Sequence, residues 1–130
     1  MNRMVREVLS RDFATCHLDT SFLFAARLVE ANDKRFVTVL DEEGNACGVI
    51  TEQILLRSHQ GEIDQKTAED IMATPVLQVS ADALMSEAEA IMQIRKVQHL
   101  VVVHAAPLQA QRPIGLISAV DVIREWLIEE

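Results

Sequence analysis

Ser118 and Asp121 stand three residues apart, where the apolar run Gly115-Leu116-Ile117 gives way to the helical pattern of Ala119–Ile128. Three-residue spacing in a first helical turn puts both side chains on one face. The hydroxyl and the nearby backbone N–H groups can meet an anionic or sugar oxygen, helped by the positive helix end. The carboxylate can accept hydrogen bonds from hydroxyl groups. A capping role is the plain alternative, with Ser118 as N-cap and Asp121 as first-turn acid. Two further pairs carry donors. Gln98-His99 leads the apolar run Leu100-Val101-Val102-Val103, and Lys34-Arg35 leads Phe36-Val37-Thr38-Val39-Leu40. Arg35 can hold a phosphate bidentately, and His99 gains charge beside an anion. Solvated strand ends are the plain reading of both pairs.

These residues sit in a repeat. Asp19, Ala25 and Phe36 recur in place as Asp82, Ala88 and His99, at an offset of 63 residues. Gly48-Val49-Ile50-Thr51 recurs as Gly115-Leu116-Ile117-Ser118, at an offset of 67 after an insertion in the second hairpin. A unit used twice places its binding surface where the copies meet. The copies span residues 1–60 and 67–130, with 61–66 as linker. Each reads α-β-α-β-β-α: lead-in helices over 4–9 and 67–72, strands over 14–18 and 76–79, and helices over 21–32 and 83–97. Hairpins and closing helices follow, and residues 105–112 form a loose hairpin tip. The class is α+β, a small mixed sheet with helices on one side.

The pattern resembles the CBS domain, named after cystathionine β-synthase, in tandem as a Bateman module. The marks are Leu84…Glu87-Ala88, the strand Leu100–Val103, and Gly115-Leu116-Ile117-Ser118-Ala119-Val120-Asp121, which is similar to the family's Gly-h-h-Ser/Thr-x-x-Asp. The resemblance implies two pseudo-twofold halves packed sheet to sheet, helices outside, with two clefts between them. It implies an adenosine-containing ligand such as AMP, ADP, ATP or S-adenosylmethionine, and a homodimer. On it, Asp121 accepts the vicinal hydroxyls of a ribose, and Ser118 meets a phosphate or ribose oxygen. Gln98, His99, Lys34 and Arg35 stand where the family meets phosphates. Phe13, Ala14, Val76 and Leu100 are candidates for an apolar adenine slot. Thr51 and Arg112 are weaker candidates. The first copy has Ile54 where the second has Asp121, so one competent cleft and one degraded cleft are expected.

The remaining composition bounds the function. The hydrophobic fraction of 49% over 130 residues is enough for a core, and the net charge of −8 argues against a nucleic-acid partner. No apolar run reaches the roughly 20 residues of a membrane span. The start of the chain lacks a secretory signal, so a cytoplasmic location is expected. Cys16 and Cys47 belong to no metal-ligand spacing and read as buried reduced thiols. His17, His59, His99 and His104 are scattered, with no nucleophile elbow or Walker loop, so no catalytic residue, cofactor or metal is expected. The expected function is a stand-alone regulatory module, sensing energy state or a metabolite and signalling to an effector protein or through oligomer state. The alternative is a ligand-free dimerisation or interaction module.

Overall fold

The computed structural model describes residues 3–61, 65–104 and 112–128. Most of the expected hairpin tip and the middle of the linker lie outside the described residues. The chain forms two compact units, Phe13–Val76 and Met1–Asp12 with Leu77–Glu130. Neither coincides with a sequence copy, because each takes its lead-in segment from the other copy. Among the described residues, no helix is long and apolar enough to cross a membrane.

The unit Phe13–Val76 contains β1 (Ala14–His17), α1 (Phe22–Ala31), β2 (Phe36–Leu40), β3 (Ala46–Thr51), α2 (Glu52–Ser58) and α3 (Ala68–Ile71). β1 pairs parallel with β2, and β2 antiparallel with β3. The parallel pair needs a crossover, which α1 supplies. Ser21 starts α1, its Oγ accepting from Phe24 N at 3.1 Å. The β2–β3 turn is closed by Asp41 Oδ1, which accepts from Glu43 N and Asn45 N at 2.9 Å each. Gly44 takes φ 85° there, a backbone region that glycine enters at little cost. The core joins Cys16, Phe22, Val29, Val37, Val39, Ile50, Ile54 and Ile71. Each large aliphatic side chain buried this way stabilises by ~1.5–3 kcal/mol. Residues 66–73 complete the unit: Phe22 N donates to Lys66 O, and Val49 and Ala73 exchange both backbone bonds, at 3.1 and 2.9 Å.

The other unit repeats this plan. It contains a 3-10 turn (Val5–Glu7), β4 (Gln78–Ser80), α4 (Met85–Arg95), β5 (His99–Val103), β6 (Pro113–Ser118) and α5 (Ala119–Ile128). β4 pairs parallel with β5, and β5 antiparallel with β6. Both hairpins shift register at matched places, Val39/Leu40 and Val102/Val103. The core joins Val5, Val79, Met85, Met92, Leu100, Val102, Ile117 and Val122. Residues 3–10 complete this unit. Val5 N donates to Ala83 O at 2.8 Å, Arg6 N to Ala81 O at 2.9 Å, and Ser10 and Leu116 exchange bonds of 2.9 Å. Arg3 pairs with buried Glu125 at 3.3 Å, and Arg6 pairs with Asp82.

The mixed α+β class expected from the sequence is the one observed. Several element bounds differ. The lead-in helix over 4–9 is a short 3-10 turn. The strand expected over 76–79 begins at Gln78. The helix expected over 83–97 is Met85–Arg95, because Leu84 is held extended in a bridge to Met4 and Lys96 turns left-handed at φ 57°. A left-handed residue after the last turn is a common helix stop.

Candidate functional site

The strongest candidate site lies where β6 ends and α5 begins. Ser118 is 5% exposed and Asp121 6% exposed, so a carboxylate is buried almost as fully as the core. A buried carboxylate needs donors to offset lost hydration. Asp121 finds them locally: its Oδ2 accepts from Ser118 N at 2.8 Å and from Ser118 Oγ at 3.0 Å. The Ser118 hydroxyl proton is therefore spent inward, and its lone pairs remain to accept. Among the described residues Asp121 Oδ1 accepts no hydrogen bond, and its charged neighbour is Arg124 Nη1 at 3.6 Å.

The antiparallel ladder brings the neighbours in. His99 is the register partner of Ser118, so the two side chains share one sheet face. Ala119 N donates to Gln98 O at 2.8 Å, fixing the start of α5 against the start of β5. His99, Ser118 and Asp121 are thus one cluster, which Gln98 joins through its backbone carbonyl. Leu100 is not part of it. Side chains alternate along a strand, and Leu100 points to the opposite face, fully buried in the hydrophobic core. Arg112 is exposed, immediately before β6.

Thr51, Lys34, Arg35, Phe13, Ala14 and Val76 lie in the other unit. Thr51 caps α2, its Oγ1 accepting from Ile54 N at 3.4 Å. Ile54 is 5% exposed and joins the core, as a residue with no polar group must at that position. Arg35 takes φ 53°, and its guanidinium donates to Glu30 O. Lys34 stands beside it, half-buried. Ala14 pairs with Val37 and packs on the core, while Phe13 and Val76 are half-buried at the two ends of this unit's chain.

A carboxylate reaching back to its own helix start is not distinctive by itself. Asp70 Oδ2 does the same for Thr67 N at 2.9 Å and Thr67 Oγ1 at 3.1 Å. Asp70 is exposed and begins a helix of four residues. Asp121 differs in being buried, in following a sheet strand and in heading a helix of ten residues. Sequence reasoning passed over Arg124, although its spacing from Asp121 was a visible signal on a helix.

The thiols do not add chemistry. Burial pushes Cys16 up to about 11, with a Thr20 hydrogen bond acting against the rise and Cys47 adding to it. Burial also raises Cys47. Both are free cysteines. Protonated thiols are poor nucleophiles and poor metal ligands. Among the described residues, no group of three or more His, Cys, Asp or Glu could hold a metal ion.

The chain belongs to the CBS domain family, whose model matches residues 5–61 and 68–127. Among solved structures, it is similar to the CBS domain pair of protein MJ0100 in complex with 5'-methylthioadenosine and S-adenosyl-L-methionine. The TM-score is 0.82 at 22% identity, covering 100% of both chains. It is also similar to the CBS domain of the bacterial CNNM/CorC family Mg2+ transporter in complex with ATP. There the TM-score is 0.80 at 21% identity, covering 95% of this chain and 87% of the other. These likenesses show the fold. Among curated proteins, arabinose 5-phosphate isomerase KpsF of Escherichia coli is 29% identical over 119 residues, 90% of this chain. The chain spans 35% of that relative's length.

Proposed function

We propose that this chain is a regulatory module that binds an adenosine-containing ligand through the cluster Ser118, Asp121, Gln98 and His99. The observation that carries the reading is Asp121. It is a carboxylate 6% exposed, held rigid through one oxygen, whose other oxygen accepts no hydrogen bond among the described residues. Such an oxygen suits the hydroxyls of a ribose. Relatives of the same fold solved with adenosyl compounds and with ATP support the ligand class. Occupancy would pass to an effector protein or to a homodimer, provided the ligand binds two states unequally. The same reading assigns the module to the cytoplasm and no catalysis to its own residues.

The test is calorimetric titration with AMP, ADP, ATP and S-adenosylmethionine, backed by thermal melts, since a ligand of the folded state raises the melting temperature. Asp121→Ala is expected to weaken the bound ribonucleoside by about 1.5–3 kcal/mol. Asp121→Asn, which keeps an acceptor for Ser118, separates loss of the ligand from loss of the helix start. Unchanged affinity in both variants rejects the ribose role.

A second reading, a ligand-free dimerisation or interaction module, is favoured by α5. Val120, Ile123 and Leu127 are 43%, 42% and 62% exposed on that helix. Trp126, 48% exposed, bonds to Glu89 Oε1 at 3.1 Å instead of entering the core. No shift with any nucleotide, together with a self-association constant that falls in Ile123→Lys, would favour this reading.

A further inference from the structure

We propose that Arg124 sets the charge selectivity of the Asp121 site, so that it takes phosphorylated ribonucleosides in preference to neutral or sulfonium-bearing ones. The inference rests on the reading of Asp121 as a ribose acceptor.

A buried carboxylate repels an incoming anion, and the chain's net charge of −8 adds to the repulsion. Phosphate binding beside Asp121 therefore needs a local cation. Arg124 Nη1 stands 3.6 Å from Asp121 Oδ1, one helical turn on, with its side chain 65% exposed. Among the described residues its guanidinium makes no hydrogen bond, so its donors stay available to a ligand. Neutralisation at this distance acts on any anionic ligand whose ribose hydroxyls bind at Oδ1, whether or not Arg124 touches its phosphate.

The matched position in the first copy is Arg57, and it shows what a merely structural arginine looks like. Arg57 lies in the last turn of α2, which ends at Ser58, where a cation complements the helix dipole. α5 continues to Ile128, so Arg124 is too far from the C-terminus for that role. Arg124 also has a buried carboxylate three residues before it, where Arg57 has Ile54.

The experiment is titration calorimetry of the full chain with AMP, adenosine and S-adenosylmethionine. It compares the unmodified protein with Arg124→Gln, Arg124→Lys and, as control, Arg57→Gln. Arg124→Gln is expected to weaken AMP by about five- to tenfold at low salt, leave adenosine within about twofold and leave S-adenosylmethionine unchanged or tighter. Arg124→Lys should keep most of the AMP affinity, Arg57→Gln all of it, and the AMP effect should shrink as salt rises. The proposal is overturned if Arg124→Gln weakens all three ligands alike or leaves AMP unchanged. It also falls if the unmodified protein prefers adenosine or S-adenosylmethionine to AMP. Binding of none of the three by the unmodified protein removes the ribose reading itself, and this inference with it.

Discussion

Asp121 and Ile54 occupy the same position in the two units and are buried alike, at 6% and 5% exposure. The fold therefore fixes the burial of this position and leaves its chemistry open. In one unit the side chain is anchored to its own helix start by Ser118, with an oxygen to spare. In the other it is part of the apolar core. The same contrast recurs at the centre of the sheets. Val101 and Thr38 are matched, and both are 0% exposed, but Thr38 Oγ1 has no hydrogen-bond partner among the described residues. A third matched pair, Arg3 and Lys66, meets different groups. Arg3 pairs with Glu125, whereas Lys66 Nζ donates to Ser58 O at 3.0 Å. The copies share a scaffold and have parted in what they place on it.

Substitutions can break this comparison or sharpen it. Ile54→Ala should cost about 2–5 kcal/mol of stability, as buried aliphatic truncations do, and leave ligand affinity at Asp121 unchanged. Denaturant unfolding and calorimetry on the same variant test both halves. A joint loss would mean the first copy's position serves binding after all. Next come the two glycines that admit the lead-in segments. A Cβ at Gly115 would stand 2.7 Å from the Ser10 carbonyl oxygen, and one at Gly48 would stand 2.9 Å from the Met72 Cβ. Gly115→Ala and Gly48→Ala should each cost about 1–3 kcal/mol, because the Ser10 carbonyl and the Met72 Cβ are both fixed by backbone. An unchanged urea midpoint in either variant would contradict the close approach. The smallest effect is expected for Thr38→Val, which installs the residue found at Val101. Removing a sealed, unpaired hydroxyl should be neutral or stabilising by up to about 1 kcal/mol. A clear loss would show that the hydroxyl has a partner in solution.

Much of the site was legible in the sequence. The 63- and 67-residue offsets marked the matched positions, whereas the pairing of His99 with Ser118 came only with the hairpin register. The Ser118–Asp121 spacing implied a shared face, and the Ile54 substitution implied asymmetry. Alternation along β5 also implied that His99 and Leu100 face opposite ways. Arg124 required seeing that Asp121 spends only one oxygen on its cap. The bond from the Trp126 indole N–H to Glu89 on α4 likewise came only with the folded chain.

The sequence alone determined the repeated elements and the residue types at matched positions, because these depend on neighbours a few residues away. Only the tertiary structure decided which lead-in segment completes which unit. Residues 3–10 join β6 through Ser10 and Leu116, and residues 66–73 join β3 through Ala73 and Val49. The two lead-in segments present similar backbone donors and acceptors, so no local pattern distinguishes the pairings. Arg3 reaches Glu125 across 122 residues of chain. Long-range bonds and the close approach at Gly48 and Gly115 make that choice, and these come into being only when the chain is folded.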